Sequence, residues 1–156
     1  MEKHDIAIVG AGPVGMTLAL ALKDSGLDVI LLDARARGAA RHDPRVLALS
    51  HGSRLTLERL GVWARLPATA IETIHISHQG GLGRSVLRAS EYGQPALGYV
   101  VAAGDLAAAL DDAIAAAGGT IASVLANNEA ELSIAMSNII AGAVQPESCD
   151  NKDNNC

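Results

Sequence analysis

The stretch "DIAIVGAGPVGMTLALALKDSGLDVILLD", residues 5–33, decides how the chain folds. Asp5–Val9 is mostly apolar and runs into a glycine, as a buried parallel strand does. Pro13–Ser25 carries apolar residues at helical spacing, with proline in its first turn and Gly26 placed to follow the C-cap. Asp28–Asp33 has the pattern of a second strand. The stretch therefore predicts a βαβ unit of about thirty residues.

Glycines at fixed spacing join the first strand to the helix. Gly10, Gly12 and Gly15 form a GxGxxG pattern, and Asp33 ends the next strand eighteen residues after Gly15. Such glycines allow a tight turn, close approach of a pyrophosphate and close packing of helix on strand. The helix N-terminus offers N–H groups to phosphate, and Asp33 is placed to accept ribose hydroxyls. We interpret this as an FAD or NAD pocket; an ordinary strand-to-helix turn, with Asp33 capping the strand, is the alternative.

Composition and charge narrow the function classes. The formal net charge is −5 and basic residues are scattered, which argues against a nucleic-acid surface. No apolar run reaches the roughly 18 residues of a membrane span, and no secretory-signal pattern begins the chain. Cys149 and Cys156 lie in the last eight residues and predict neither a disulfide framework nor a zinc site. We therefore expect a cytoplasmic protein of one domain.

The composition changes near residue 120. All nine arginines fall between Arg35 and Arg88, whereas all six asparagines fall between Asn127 and Asn155. The end of the chain, residues 145–156, is polar and aperiodic, which predicts disorder. Two origins stay open for residues 121–156: a natural linker or interaction tail, or sequence introduced by a frame change or a gene rearrangement.

Further elements follow from periodicity and turn residues. The pattern predicts two strands and two helices after the βαβ unit. They are a helix over Ser50–Leu60 closed by Gly61, a strand over residues 71–77, a short strand over residues 97–101, and a helix over Asp105–Ala117 with Asp105 as N-cap and a stripe of Leu106, Leu110 and Ile114. Residues 131–144 suit either a short strand or a short helix.

Three segments together resemble one enzyme family. They are "DIAIVGAGPVGMTLALAL", "DPRVLALSHGSRLTLERLGVW" and "LGYVVAAGDLAAAL". They are similar to the FAD-dependent aromatic hydroxylases of ubiquinone biosynthesis, the 2-polyprenyl-6-methoxyphenol hydroxylase family in the p-hydroxybenzoate hydroxylase-like superfamily, over residues 4–120. The resemblance implies a truncated α/β fold: a Rossmann-like FAD-binding βαβ domain with the start of a substrate-domain sheet. Residues 1–120 would be the N-terminal part of that domain, and residues 121–156 a divergent, partly disordered tail.

The resemblance also implies which residues hold the cofactor. Gly10, Gly12, Pro13 and Gly15, with Asp33, would bind the ADP half of FAD. Arg45 matches an arginine that approaches the flavin side; its alternative is a solvated surface arginine. Asp43 is expected to begin a turn with Pro44 rather than to pair with Arg45. Ala102 and Ala103 replace residues that are often polar or basic in relatives, which argues against side-chain contacts to FAD at those positions.

The family's chemistry sets the remaining expectations. NAD(P)H would reduce FAD, and the reduced flavin would use dioxygen to hydroxylate a polyprenylated phenol, without metal. The chain is accordingly expected in the cytoplasm or peripherally at the inner membrane, in association with other ubiquinone-biosynthesis proteins. Relatives are more than twice as long, and their later flavin-binding Gly-Asp-Ala segment is not visible here. The chain alone is therefore expected to bind FAD weakly and to be inactive, and the sequence singles out no catalytic residue.

Other candidate residues have simpler interpretations. His75 and His78 are three apart on a strand, point to opposite faces and make a poor metal pair. Ser50, His51 and Ser53 lack a nucleophile elbow, so one serine is expected to be a helix N-cap. Trp63 is expected to pack in the core. Two other functions stay open: a non-catalytic nucleotide-binding or interaction module, and an NAD-dependent oxidoreductase fragment.

Overall fold

A computed structural model describes residues 4–77, 83–117, 121–125, 130–131, 133–134 and 136–138. These ranges contain eight strands, three α-helices with continuous bounds, and helical residues between 130 and 138. Their bounds are β1 (Ile6–Val9), α1 (Pro13–Leu22), β2 (Val29–Asp33), β3 (Val46–Leu49), α2 (His51–Arg59), β4 (Thr69–Ile71), β5 (Thr73–Ser77), β6 (Arg84–Arg88), β7 (Gly98–Ala102), α3 (Ala103–Ala117) and β8 (Ile121–Leu125). Short 3-10 turns cover Ala39–His42, Trp63–Arg65 and Ala89–Tyr92.

The βαβ unit predicted from residues 5–33 is the first part of a parallel sheet. Its strand order is β1-β2-β8, with Ile6 opposite Val29 and Val29 opposite Ile121. Because β2 is the middle strand, its residues from Val29 to Leu32 are buried on both faces of the sheet. The sheet thus uses a strand beyond residue 120, where the composition changes.

Helices α1 and α3 pack side by side on this sheet and form the core with it. The stripe predicted on the last helix is confirmed, since Leu106, Leu110 and Ile114 are all buried. From α1, Met16 and Leu20 are buried in the same cluster. The apolar face that the residue spacing predicts therefore anchors α3 beside the glycine motif of residues 10–15.

The second sheet is antiparallel and has the order β3-β7-β4. Trp63 packs edge-to-face on Tyr99 of β7 with ring centroids 4.9 Å apart, and the Arg54 guanidinium lies 5.8 Å and 5.6 Å from these two rings. Strands β5 and β6 form a separate hairpin whose residues are mostly exposed. Strands β3, β6 and β8 were not predicted from the sequence.

Several predicted bounds were wrong. Helix α1 ends at Leu22 rather than at Ser25, because the N–H and the hydroxyl of Ser25 both donate to the Leu22 carbonyl and turn the chain. The single strand predicted over residues 71–77 is broken at Glu72, whose carbonyl accepts the Ala89 N–H while β4 pairs with β7. The short strand predicted over residues 97–101 is β7, which lies one residue later.

Helix α3 begins two residues before the predicted N-cap. Asp105 lies in its first turn, since the N–H groups of Ala103 and Gly104 donate to the carbonyls of Arg45 and Asp43. Backbone carbonyls thus do the capping that a side chain was expected to do.

The described residues between 130 and 138 are helical, and the predicted disorder of residues 145–156 lies outside the described residues. None of the described helices has the length and apolarity needed to cross a membrane.

Candidate functional site: a dinucleotide pocket

The glycine-rich turn lies between the carboxyl end of β1 and the start of α1. Gly10 has φ +107°, a left-handed value that favours glycine, and its N–H donates to the Leu32 carbonyl over 2.7 Å. A Cβ on Gly15 would collide with the carbonyl oxygen of Gly10. A Cβ on Gly12 would meet no atom of the described residues within 4 Å. Two of the glycines are thus required by the protein itself, whereas Gly12 faces open space.

Helix α1 presents its N-terminus beside this open space. Gly12 is the N-cap residue, with φ −80° and ψ 178°, and Pro13 occupies the first turn. No side chain of the described residues caps this end, and the first turn contains no acid. The first N–H groups of a helix have no partner within it and carry the positive end of the helix dipole. The arrangement is suited to bind a phosphate.

Asp33 ends β2 and reaches back to the glycine-rich turn. Its Oδ2 accepts the Ala11 N–H over 2.7 Å, and its Oδ1 accepts the Arg35 N–H over 2.7 Å. The Arg35 side chain also donates through Nε to Oδ1 and through Nη2 to Oδ2, each over 3.1 Å. Chiefly the side-chain hydrogen bond from Arg35, opposed by partial burial, holds the pKa of Asp33 below its ordinary value of 3.8. Asp33 is therefore a carboxylate aimed at the site.

A pocket opens between the glycine-rich turn, the segment after β2 and helix α3. Its lining is mainly small and apolar, with charged side chains among it: Ala11, Met16, Leu31, Ala36, Gly38, Ala39, Ala40, Ala107 and Ile114, with Asp33, Arg35, Arg37, Arg41 and Asp111. Asp33 thus lines a pocket that combines small apolar residues with four other charged side chains. Such a pocket is suited to a heterocycle that packs on the apolar residues and carries a sugar whose hydroxyls bind Asp33.

Ion pairs fix one wall of the pocket to α3. Arg37 donates to Asp111 Oδ1 over 2.9 Å, and Arg41 donates to Asp111 Oδ2 over 2.8 Å and also to Asp112. Burial raises the pKa of Asp111, but the hydrogen bonds from Arg41 and Arg37 outweigh it and leave the pKa below 3.8. A Cβ on Gly104 would collide with the Arg41 carbonyl oxygen, so the wall and the helix are in direct backbone contact.

Arg45 is not among the residues that line the pocket. It lies directly before β3, at the end of the segment that follows β2. Its guanidinium pairs with both carboxylate oxygens of Asp43, with Arg45 Nη2 2.6 Å from Oδ2, and its side chain is 77% exposed. Asp43 Oδ1 also accepts the Arg45 N–H over 3.0 Å. The turn expected at Asp43 is present, and the carboxylate pair that was not favoured is present too. The approach of Arg45 to a flavin stays a prediction.

The remaining candidates have structural explanations or stay untested. Ser50 is the N-cap of α2, where its Oγ accepts the Ser53 N–H over 3.1 Å. His51 Nδ1 is buried without a hydrogen-bond partner among the described residues. His75 lies on the exposed strand β5, and His78 is outside the described residues. Ala102 ends β7 and Ala103 starts α3, where its N–H is bound to the Arg45 carbonyl.

Sequence reasoning missed the charged residues around the pocket. Arg35 follows Asp33 by two positions, a spacing that allows a local ion pair but predicts no contact by itself. Arg37 and Arg41 find Asp111 about seventy residues away in the chain, and only the fold brings them together. Periodicity of apolar residues, which located the helices, carries no information about such pairs.

FAD fits the residues that are present. The open space at Gly12, the uncapped end of α1 and the nearby Asp33 carboxylate suit a pyrophosphate and the ribose attached to it. Gly12 and the helix N-terminus that starts at Pro13 would hold the pyrophosphate, on a turn shaped by Gly10 and Gly15, and Asp33 would hold the ribose.

Comparison with known proteins identifies the family. A sequence profile described as FAD binding domain matches residues 3–134. The chain is 40% identical over 75 residues to the ubiquinone hydroxylase UbiM of Neisseria meningitidis, a match covering 46% of this chain and 16% of UbiM. It is 33% identical over 101 residues to the ubiquinone hydroxylase UbiL of Rhodospirillum rubrum, covering 62% of this chain and 24% of UbiL.

The fold is similar to that of a solved monooxygenase. The structure superposes on p-nitrophenol 4-monooxygenase PnpA from Pseudomonas putida DLL-E4 with a TM-score of 0.64 and 20% identity. That superposition covers 81% of this chain and 33% of PnpA. The chain thus spans a third or less of these three relatives. It belongs to the FAD binding domain family, has the fold of the N-terminal part of flavin-dependent monooxygenases, and takes FAD as its cofactor.

Proposed function

We propose that this chain is the ADP-binding portion of an FAD-dependent monooxygenase that hydroxylates a polyprenylated phenol in ubiquinone biosynthesis. The observation that carries the proposal is the contact between Asp33 and the glycine-rich turn, made by the Ala11 N–H over 2.7 Å. That contact places the carboxylate beside the N-terminus of α1. A ribose and a pyrophosphate of one dinucleotide can then bind to neighbouring groups.

The residues of this chain bind and orient the cofactor. The N-terminus of α1 and the backbone at Gly12 bind the pyrophosphate, and Asp33 accepts hydrogen bonds from the adenosine ribose. A carboxylate at this position repels a 2′-phosphate, which favours FAD over NADP. Arg45 lies on the segment that leads to the second sheet, where a guanidinium can approach the flavin side. Bound FAD would supply the chemistry of ring hydroxylation by dioxygen, with NAD(P)H as the reductant.

The substrate class rests on similarity. Two ubiquinone hydroxylases, UbiM and UbiL, are 40% and 33% identical to this chain over 75 and 101 residues. The matched part is the cofactor-binding part, so it supports the cofactor more directly than the phenol. Dioxygen and a polyprenylated phenol are accordingly proposed as reactants of the whole enzyme.

Titration with FAD tests the cofactor part of the proposal. Purified chain is titrated with FAD while flavin fluorescence and absorbance are followed, and the titration is repeated with NAD. We expect saturable FAD binding that is lost in Gly12→Val and strongly weakened in Asp33→Ala. Circular dichroism of both variants checks that they remain folded. Tight NAD binding without FAD binding would instead favour an NAD-dependent oxidoreductase, and a folded chain that binds neither would contradict a dinucleotide site.

A chimeric enzyme tests the substrate part. Residues 1–120 of this chain replace the matching N-terminal stretch of UbiM, and ubiquinone is quantified in a bacterium that lacks its own hydroxylase. We expect ubiquinone to be restored, and a Gly12→Val version of the same chimera to be inactive. A folded chimera that binds FAD but restores no ubiquinone would leave the cofactor proposal standing and would argue against this substrate class.

A further inference from the structure

The carboxylate that a ribose needs is already occupied by this chain. Both oxygens of Asp33 accept two hydrogen bonds each: Oδ1 from the Arg35 N–H and Nε, and Oδ2 from the Ala11 N–H and Arg35 Nη2. A carboxylate offers about four lone-pair sites, so all of them are in use. A ribose hydroxyl can bind Asp33 only by replacing one of these donors.

The Arg35 side chain is the donor that is able to leave. Its side chain is 57% exposed, and the side-chain contacts that hold it both go to Asp33. The Ala11 N–H belongs to the glycine-rich turn and stays in place, which keeps the carboxylate aimed at the pocket. The neighbouring Arg37 and Arg41 are held by Asp111 and so do not compete for Asp33.

We propose that Arg35 is an internal competitor for the ribose site, whose guanidinium must leave Asp33 before a dinucleotide can bind there. The inference rests on the proposed function and names the residue that sets the affinity of that site. Arg35 and Asp33 make a two-pronged pair, in which the planar fork of arginine fits the two oxygens of the carboxylate. The ribose hydroxyls then replace two donors of the same group.

Removing the Arg35 guanidinium is expected to tighten the binding of ADP. Partly exposed ion pairs contribute up to about 1 kcal/mol, so we expect Arg35→Met to bind ADP about two- to fivefold more tightly than the unaltered chain by isothermal titration calorimetry. Arg35→Lys, which keeps the charge but loses the planar fork, falls between the two. The control Arg59→Met removes the same charge from α2, outside the pocket lining, and leaves the ADP affinity unchanged.

A second ligand separates competition from simple obstruction. With 2′,3′-dideoxy-ADP, which has no ribose hydroxyls, Arg35→Met gains no affinity over the unaltered chain. An equal gain with both ligands would overturn the proposal, because the competition would then not concern the hydrogen bonds of Asp33. Equal or weaker ADP binding by Arg35→Met would overturn it as well.

A measurement without ligand distinguishes this inference from the function on which it rests. We expect the pKa of the Asp33 carboxyl, read by NMR titration, to lie below 3.8 in the unaltered chain and to move upward in Arg35→Met. An unchanged pKa would show that the pair does not form and would overturn the inference alone. If the pair forms and neither protein binds ADP, the dinucleotide site itself is wrong, and the inference falls with it.

Discussion

Gly12 and Gly15 are three residues apart, and they are glycines for different reasons. A Cβ at position 15 has no room, because the Gly10 carbonyl occupies that space. A Cβ at position 12 meets no atom of the described residues within 4 Å, and we expect it to be excluded only once a ligand is bound. We therefore expect Gly15 to serve packing and Gly12 to serve binding, although the sequence pattern presents them as equivalent.

A pair of alanine substitutions separates these roles. Gly15→Ala should lower the free energy of unfolding by about 1–3 kcal/mol, since overpacking forces backbone shifts. Gly12→Ala should cost at most about 1 kcal/mol, as alanine is a poorer N-cap than glycine. The same Gly12→Ala should weaken FAD binding roughly tenfold, the loss of about 1.4 kcal/mol of close backbone contact. Denaturant unfolding and FAD titration of both variants measure this, and equal destabilisation by the two would contradict it.

The pair between Asp43 and Arg45 gives a prediction about pH. Hydrogen bonds from the Arg45 side chain and backbone lower the pKa of Asp43 to about 2. A lowered carboxyl pKa means that the pair stabilises the fold above the ordinary value of 3.8 and that this contribution is lost as the pH falls toward about 2. NMR titration of the Asp43 carboxyl should show the lowered pKa, and Arg45→Met should return it toward 3.8. A pKa that is the same in both proteins would show that the pair is absent in solution.

At the scale of elements, α3 holds the pocket wall. Its N-terminal N–H groups bind the carbonyls of Asp43 and Arg45, and Asp111, two turns later, binds Arg37 and Arg41. The segment after β2 is thus attached to α3 at two places, the N-terminus of the helix and Asp111. Without these contacts, the 3-10 turn at Ala39–His42 would have little to keep it against the pocket.

Asp111→Asn should loosen this wall. We expect the amides of residues 38–43 to exchange hydrogen faster and the free energy of unfolding to fall by about 1 kcal/mol, given that both arginines are partly exposed. Because the pKa of Asp111 is lowered, the difference from the unaltered chain should be full above pH 3.8 and shrink as the pH falls below it. Asp112→Asn, which removes only a contact to Arg41, is the matched control and should have a smaller effect. Unchanged exchange at residues 38–43 in Asp111→Asn would contradict this role.

The sequence predicts elements where several local signals agree. At residues 5–33 the apolar pattern, the glycines and the acid all indicate one βαβ unit, and the structure has it. Strand β3 is only four residues long and half exposed, so its pattern is too weak to recognise. The start of α3 and the break at Glu72 depend on backbone partners distant in the chain. The same is true of the charged pocket wall, because nothing in the sequence near Arg41 indicates Asp111.

The whole molecule exposes apolar surface beside β1. In the described part of the chain, β1 pairs on one edge only, with β2. Val9, the last residue of β1, is 53% exposed, and on α1 Val14 is 84% exposed and Leu18 is 48% exposed. An edge strand next to exposed apolar side chains is a site of association between chains.

Val14→Lys should therefore reduce self-association. We expect the unaltered chain to show a concentration-dependent increase in mass by light scattering coupled to size exclusion, and Val14→Lys to shift it toward the monomer. The matched control is Tyr92→Lys, which removes an exposed ring far from β1 in sequence, in the 3-10 turn before β7, and leaves the association unchanged. An equal effect of both substitutions would indicate a general effect of charge rather than the edge of β1.

The order β1-β2-β8 also has a consequence for the time course of folding. Val29 pairs with Ile121, so the nucleotide-binding sheet contains a contact between residues that are separated by the entire second sheet and the β5-β6 hairpin. Contacts of high sequence separation slow folding because a large loop must close before they form. During synthesis, β1, α1 and β2 leave the ribosome early. The edge of β2 that pairs with β8 stays unpaired until residue 125 has emerged. The glycine-rich turn is made first, and the sheet that supports it is completed last.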